Sequence, residues 1–183
     1  MIELVFLLEE PSMKIVLDTI LPNILPEGTA FTTIKHYGKS DLEKSIPIKL
    51  RAFQKPGVKF IILRDQDCFD CMELKQHIIG LCEEGRRPDS MVRIVCHELE
   101  AWFLGDLAAV ERAFNIRGLG ARQNEAKFRD PDRMSSPAHL LGTIVSGYQK
   151  ISGAREISKE MNVNQNRSKS FNVFIAGVLR LVS

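Results

Sequence analysis

The distribution of hydrophobic and polar positions predicts two kinds of element that take turns along the first two-thirds of the chain. Short runs that are mostly apolar and end at polar residues are typical of parallel strands. Between them, apolar residues at i, i+3 and i+4 spacing are typical of amphipathic helices. The predicted strands cover residues 2–8, 30–37, 58–63 and 91–96. We therefore predict an α/β fold, with a mostly parallel sheet of about four strands and helices on both of its faces.

The same pattern predicts helices over residues 13–25 and 71–84, and a helix from about residue 40 that breaks at Pro47 and continues over 47–53. Beyond the fourth strand we expect helices over 100–104 and 106–114, a long loop over 116–136, and a helical C-terminal tail. The tail is predicted as helices over 137–151, 154–161 and 170–182, with a break at Ser152 and Gly153. We expect a single domain over 1–183, with an α/β core (1–114) followed by a loop and helical extension (115–183).

Composition narrows the class of protein. The chain has 183 residues, of which 44% are hydrophobic and 26% charged, as is typical of soluble globular proteins. The formal net charge is only +2, so any nucleic-acid-binding surface must be local. No apolar run is long enough to span a bilayer, and the acidic N-terminus is not typical of a signal peptide. Four cysteines in a chain of this size favour a reducing cytoplasm, so we predict a cytoplasmic protein with no membrane contact.

Candidate chemistry begins at residues 60–67, where four apolar residues lead into Arg64, Asp65, Gln66 and Asp67. In open α/β sheets, ligands bind at the carboxyl ends of the strands. On an extended segment, side chains at i and i+2 point to the same side, so Asp65 and Asp67 are predicted to converge. Two hard oxygen ligands suit Mg²⁺ or Mn²⁺. The alternative is a solvated loop, in which Arg64 balances the acidic charge.

Acidic pairs also follow two other predicted strands. Because the carboxyl ends of parallel strands lie at one edge of a sheet, all three pairs are expected there. Carboxylates that meet without a cation raise one another's pKa values, which favours a bound metal or a shared proton. A two-metal site is one option, with one ion activating water and the other stabilising a leaving oxygen. The candidate ligands are Glu9, Glu10, Asp65, Asp67, Glu98 and Glu100.

Six stretches together carry a resemblance that covers nearly the whole chain. They are residues 8–12 (LEEPS), 36–41 (HYGKSD), 63–67 (LRDQD), 93–106, 97–102 (HELEAW) and 166–171 (NRSKSF). In this combination the chain resembles a bacterial Toprim-like family of uncharacterised proteins. That family is related to the nuclease domains of OLD-type (overcoming lysogenization defect) proteins. It is often encoded beside ATPases in bacterial and phage-defence gene neighbourhoods. The resemblance implies a Toprim fold and phosphodiester chemistry that depends on Mg²⁺ or Mn²⁺.

The resemblance also implies roles for individual residues. Glu9 matches the Toprim glutamate, a general base or metal ligand, and Asp65 and Asp67 match the Asp-x-Asp metal pair. Glu98 and Glu100 resemble the later acidic pair that supports a second ion. The chain departs from the pattern at two positions, because Glu10 replaces the usual glycine and Met13 replaces an acidic residue. Glu10 is a candidate substitute for that acid.

Cations are needed wherever charge develops on phosphate oxygens. Lys169, together with Arg167, is the first candidate for stabilising the transition state; the alternative is a solvated lysine at a helix start. Lys39 and His36 follow the second predicted strand and are candidates for phosphate contact, although a histidine in such a turn is more often structural. Cys68 and Cys71 have C-x-x-C spacing, but a second half-motif for zinc is missing, so buried apolar cysteines are the default.

Three functions remain open at this point. The first is a metal-dependent nuclease acting on DNA or RNA and controlled by an ATPase partner of the AAA or ABC type. The second is a non-catalytic subunit with the same fold that binds such an ATPase or nucleic acid. The third is a phosphoacceptor protein that uses Asp65, for which the other acidic pairs and the helical tail are not needed. A homodimer is compatible with each of them.

Overall fold

A four-stranded sheet with helices on both faces forms the core of the computed structural model, which describes residues 2–53 and 55–183. The strands are β1 (Glu3–Leu8), β2 (Ala30–Lys35), β3 (Val58–Asp65) and β4 (Met91–Val95). They are all parallel and lie in the order β2-β1-β3-β4. The predicted α/β class, strand number and strand direction are therefore confirmed.

Helices connect these strands and form the C-terminal segment, as predicted. The connecting helices are α1 (Pro11–Ile24), α2 (Lys39–Ala52) and α3 (Cys71–Glu84). After β4 come α4 (Glu100–Leu104), α5 (Leu107–Phe114), two short 3₁₀ helices (Gly120–Asn124 and Pro131–Arg133), α6 (Pro137–Ile144), α7 (Lys150–Glu160) and α8 (Lys169–Val182). In the described part of the chain, no helix has the length and apolar character that crossing a membrane requires.

The two faces of the sheet bury two separate hydrophobic clusters. Alternate residues of β1 point to opposite faces, so Leu4 and Phe6 belong to one cluster and Val5 and Leu7 to the other. Residues of α1 and of the helices α4 to α8 contribute to the first cluster, and residues of α2 and α3 contribute to the second. Burial of each large apolar side chain contributes about 1.5–3 kcal/mol. This packing holds the carboxyl ends of the strands in fixed positions.

Aromatic packing attaches the last helix to the first face of the sheet. Trp102 is fully buried, and its ring centroid lies 5.1 Å from that of Phe171 and 5.2 Å from that of Phe174. The Phe174 ring in turn lies 6.3 Å from the Phe6 ring. Helix α8 is therefore part of the core and not a loose extension.

The predicted break at Pro47 is wrong, because α2 runs continuously through this residue. Proline lacks an N–H group and removes one hydrogen bond from a helix. The neighbouring Ile46 and Leu50 are completely buried against the sheet. Tertiary packing of this apolar stripe supplies most of the stability of such a helix and offsets the missing bond.

The predicted break at Ser152 and Gly153 is also wrong, because both residues lie inside α7. The break falls instead between α6 and α7, where Gly147 has a φ of 70°. A side chain at position 153 would place its Cβ atom 2.1 Å from the ring of Tyr148. Gly153 is therefore a contact residue that lets the Tyr148 ring pack against α7. The predicted loop over 116–136 contains the two 3₁₀ helices.

Candidate functional site

In the strand order β2-β1-β3-β4, β2 lies on one side of β1 and β3 lies on the other. The connections after β1 and after β2 therefore run in opposite directions, which creates a topological switch point between β1 and β3. In open α/β sheets, ligand sites form at the carboxyl ends of the strands at such a point. Glu9 and Glu10 follow β1, and Asp65 is the last residue of β3. Acidic residues therefore lie where the fold itself favours a ligand.

Asp65 is buried beneath this edge and only 4% exposed. Its Oδ1 atom has no hydrogen-bond partner among the described residues. Burial, followed by the charges of Glu10 and Glu9, raises the pKa of Asp65 well above its ordinary value. A buried carboxylate oxygen with no protein donor among the described residues indicates that another group belongs beside it.

Glu100 is a second buried carboxylate at the same edge, and it is 1% exposed. The Tyr148 hydroxyl donates a hydrogen bond of 3.1 Å to its Oε1 atom, while its Oε2 atom has no hydrogen-bond partner among the described residues. Burial raises the pKa of Glu100, and the nearby Lys150 opposes this effect. Burial and the Glu100 charge also raise the pKa of Tyr148, so its hydroxyl keeps its proton.

Lys150 is the cation of this cluster. Its Nζ atom lies 3.5 Å from Glu10 Oε2 and 4.0 Å from Glu100 Oε2. Burial lowers the pKa of Lys150, but the charges of Glu100, Glu10 and Asp65 outweigh burial and raise it to about 12. The ammonium group therefore stays charged and partly neutralises the three carboxylates. We call Glu10, Asp65, Glu100 and Lys150 the acidic cluster.

A second charged group adjoins the acidic cluster and is organised by Arg64, which is 1% exposed. Arg64 Nη1 donates to Glu9 Oε2 at 2.8 Å and to Asp67 Oδ2 at 3.3 Å. The same Glu9 oxygen accepts a hydrogen bond of 3.0 Å from the backbone N–H of Asp65. Burial raises the pKa of Glu9, and Arg64 opposes that rise. Glu9 therefore ties the end of β3 to β1 and fixes the position of Asp65.

Asp67 does not follow the extended geometry on which its predicted convergence with Asp65 was based. Strand β3 ends at Asp65, and Asp67 has a φ of 53°, in the left-handed region. The side chain of Asp67 pairs with Arg64, whereas Asp65 faces the acidic cluster. The i, i+2 rule fails here because it holds only while the backbone remains extended.

Glu98 lies in the turn before α4, where its Oε2 atom accepts a 2.8 Å hydrogen bond from the backbone N–H of Ala138. It therefore holds the first turn of α6 against the sheet edge. Together with Asp67 and His97 it lines a separate cavity of about 360 Å³.

The two phosphate-contact candidates that follow β2 differ in burial, since His36 lies inside the fold and Lys39 lies on the surface. His36 is buried, and its Nδ1 donates to the backbone oxygen of Leu8 at 2.9 Å while Ser45 contacts its Nε2. Burial lowers the pKa of His36, so the ring is held neutral inside the fold. Lys39 is exposed, and its ammonium lies 5.1 Å from the centroid of the Phe69 ring.

Arg167 and Lys169 lie on the C-terminal segment. Arg167 is exposed and donates to Asn124 Oδ1 at 2.9 Å. The side chain of Lys169 is 78% exposed, and its Nζ lies 3.9 Å from Asp130. Lys169 lines a cavity of about 420 Å³ beside β4 with Gln66, and its side chain is separate from the acidic cluster.

The four cysteines are free thiols. Cys68 is exposed, Cys71 and Cys96 are half-buried, and Cys82 is buried in the second cluster. Burial raises the pKa of Cys82 to about 11, which keeps this thiol protonated. Only Cys82 matches the expectation of a buried apolar cysteine.

The donor atoms of the acidic cluster suit a divalent cation, but they are not yet arranged around one. Among residues 2–53 and 55–183, no three His, Cys, Asp or Glu side chains are already arranged to hold a metal ion together. The acidic cluster nevertheless offers hard oxygen donors. Two of them are buried oxygens, on Asp65 and Glu100, that have no hydrogen-bond partner among these described residues. These are the donors that Mg²⁺ and Mn²⁺ prefer, and Mg²⁺ needs only one or two carboxylates because it retains water ligands. The donor chemistry fits such an ion once the Lys150 ammonium moves aside.

Lys150 and Tyr148 are site residues that were not predicted from the sequence. Both lie in the segment between α6 and the start of α7, about 50 residues after β4 in the chain. The only signal near them is Gly147-Tyr148, which reads as an ordinary turn.

Comparisons with known proteins give one match. A family model described as "Domain of unknown function (DUF4276)" matches residues 8–179. No match was found among curated proteins or among solved structures.

Proposed function

This chain belongs to the DUF4276 family, and from the geometry of its site we propose that it is a phosphodiesterase dependent on Mg²⁺ or Mn²⁺ that hydrolyses DNA or RNA. The observation that carries the proposal is the acidic cluster at the switch point of the sheet. Two of its carboxylates, Asp65 and Glu100, are almost completely buried, and each has an oxygen without a hydrogen-bond partner in the part of the chain that the structure describes. Natural proteins rarely leave such groups unpaired except at functional sites.

Each residue of the cluster has a defined task in this proposal. Asp65, Glu10 and Glu100 would hold the divalent cation, and Tyr148 keeps the carboxylate of Glu100 in place through its hydrogen bond. A bound cation supplies an activated water and neutralises charge on the phosphate. Lys150 remains beside the site as a permanently charged ammonium group that stabilises negative charge on phosphate oxygens.

Glu9 serves in this proposal as a positioning residue. One of its oxygens already accepts hydrogen bonds from Arg64 and from the backbone of Asp65. The general-base role that the resemblance implies for Glu9 therefore has to use its other oxygen. Asp67 and Glu98 lie at the rim as candidates for a second ion. The Lys169 side chain is separate from the acidic cluster, so Lys150 takes the charge-stabilising role that was predicted for Lys169. The cytoplasmic location, an ATPase partner and a homodimer stay predictions.

A second candidate function is supported by Lys150 itself. Because this ammonium already balances part of the acidic charge, the site is consistent with a protein whose carboxylates are structural. Such a protein would be a non-catalytic subunit that binds nucleic acid or a partner ATPase. A phosphoacceptor role for Asp65 is less compatible with the structure, because a residue that is 4% exposed is poorly accessible to a phosphoryl donor.

The test is cleavage of single-stranded and duplex DNA and RNA with added Mg²⁺ or Mn²⁺. Asp65→Asn is expected to reduce the cleavage rate at least about 100-fold, since it removes a ligand charge. The matched control is Asp89→Asn, because the Asp89 side chain is 50% exposed and pairs with Arg87. Undiminished cleavage by folded Asp65→Asn would refute the proposal. Nucleic-acid binding with no metal binding by calorimetry would support the non-catalytic subunit.

A further inference from the structure

A third cavity lies beside Arg64 on the α2 and α3 side of the sheet. It has a volume of about 420 Å³, within the range of small-ligand sites. Its walls include Lys39 and Ser40 from the start of α2, Arg64 from β3 and Phe69 from the turn before α3. None of these side chains belongs to the acidic cluster.

The first turn of α2 gives one end of this cavity an affinity for anions. Helix α2 is 14 residues long, and its N-cap residue Gly38 provides no side-chain hydrogen bond. The free N–H groups and the helix dipole at such an end attract phosphate. Lys39 and Ser40 add an ammonium group and a hydroxyl at the same place, and both residues are exposed.

Arg64 provides an independent indication of a ligand. This side chain is 1% exposed, yet its Nε atom has no hydrogen-bond partner among the described residues. Its nearest ionic neighbour on that side, Glu43 Oε1, is 3.6 Å away, beyond hydrogen-bond distance. Through Nη1 the same guanidinium donates to the Glu9 oxygen that also accepts from the backbone N–H of Asp65, so Arg64 links the cavity to the residue that positions Asp65.

Phe69 gives the cavity an aromatic surface. Its side chain is 45% exposed, which is unusual for a phenylalanine. The Lys39 ammonium lies 5.1 Å and the Arg64 guanidinium carbon 5.7 Å from the centroid of its ring. An exposed aromatic ring beside cations is the combination by which proteins bind unpaired bases and their phosphates.

Two carboxylates also line the cavity, and they limit what it accepts. Glu43 is paired with Arg64 and with His77 Nε2, the latter at 3.2 Å, so its charge is partly balanced. Glu73 is exposed in the first turn of α3 and is an acceptor for the amino group of a base. A simple inorganic anion would use only the Lys39 end of this cavity, whereas a nucleotide would use both ends.

We propose that this cavity binds one unpaired nucleotide of a nucleic-acid strand, with its base on Phe69 and its phosphate at Lys39 and Ser40. This inference rests on the proposed function: Arg64 lines the cavity and also donates to Glu9, which positions Asp65, so the bound nucleotide would place a neighbouring phosphodiester beside the acidic cluster. A base inside a duplex is stacked and paired and does not enter such a cavity. The preferred substrate is therefore single-stranded nucleic acid or a single-stranded end.

The direct test is an NMR titration of the full chain with adenosine 5′-monophosphate in the presence of EDTA, so that no metal is needed. Phe69→Ala is expected to weaken binding about 5- to 100-fold through lost stacking. Lys39→Gln is expected to weaken it about 3- to 10-fold. The matched controls are Ile48→Ala, an apolar residue of α2 that is 65% exposed, and Lys44→Gln, an exposed cation on the same helix. Both controls should bind like the wild type.

Three results would overturn the inference. They are no binding of the nucleotide, equal binding by Phe69→Ala and wild type, and inorganic phosphate binding as tightly as the nucleotide. The outcome is separate from that of the nuclease proposal. Nucleotide binding in EDTA without metal-dependent cleavage would support the nucleotide site and refute the nuclease proposal. Metal-dependent cleavage without nucleotide binding would support the nuclease proposal and refute the nucleotide site. If both hold, Phe69→Ala should raise the KM for single-stranded substrate more than it lowers kcat.

Discussion

Asp65→Asn removes the charge of a buried carboxylate while keeping its shape, and we expect it to stabilise the metal-free protein. Burial, followed by the charges of Glu10 and Glu9, raises the pKa of Asp65 in the folded state. The folded state therefore binds a proton more tightly than the unfolded state does. The contribution of Asp65 to stability is then fully present below its unfolded pKa and is lost as the pH rises through its folded pKa.

The size of the stabilisation expected for Asp65→Asn follows from the cost of burying a carboxylate oxygen that has no hydrogen-bond partner among the described residues. Asp65 is 4% exposed and its Oδ1 atom has no hydrogen-bond partner in the described part of the chain. An unpaired buried polar group costs about 1–3 kcal/mol, and a charged one costs more. For a chain of this length, each kcal/mol changes Tm by about 2–4 °C. Above the folded pKa of Asp65, the variant should therefore unfold at a higher temperature than the wild type.

The assay is thermal unfolding in EDTA at one pH below and one pH above the folded pKa of Asp65, followed by circular dichroism. The difference between the two proteins should shrink at the lower pH, where Asp65 gains a proton and resembles asparagine. Added Mg²⁺ should stabilise the wild type, by about 2.7 kcal/mol at a concentration 100 times its Kd, and should stabilise Asp65→Asn far less.

The control variant for this assay is Asp89→Asn, which should change Tm in the opposite direction from Asp65→Asn. Arg87 holds the pKa of Asp89 below its ordinary value through a hydrogen bond. The contribution of Asp89 is present above its unfolded pKa and is lost as the pH falls through its folded pKa, so Asp89→Asn should slightly destabilise the protein at the higher pH. If Asp65→Asn also lowers Tm at the higher pH in EDTA, a native partner stabilises the Asp65 carboxylate and the reasoning is wrong.

Two further predictions concern the surroundings of the site. Lys150→Met should destabilise the metal-free protein by up to about 1 kcal/mol, because the half-exposed ammonium group that balances Glu10 and Glu100 is lost. The same variant should bind Mg²⁺ more tightly than the wild type when binding is measured by calorimetry. Asp106→Ala should cost about 2–4 kcal/mol in chemical denaturation, because buried Asp106 accepts hydrogen bonds from the N–H groups of Ala109 and Asn162. A loss below about 0.5 kcal/mol would contradict that account of Asp106.

The local hydrophobic pattern determined most of the fold. Apolar runs of strand length and helical spacing between them require a parallel sheet covered on both faces, and the structure has this sheet with its helices. The placement of Glu9, Glu10 and Asp65 at one edge followed as well, because parallel strands bring their carboxyl ends together. Breaks at Pro47 and Gly153 were predicted wrongly, since packing against distant residues outweighed their local preference.

The tertiary structure alone decided how the acidic residues are used. Lys150 and Tyr148 reach the cluster from a segment far along the chain, and nothing in their own sequence pattern reports that contact. Asp67 turns away because its backbone enters the left-handed region, which an alternating pattern cannot encode. Periodicity in a sequence reports which face of an element is buried. The partner of each buried charge depends on elements that meet only in the folded chain.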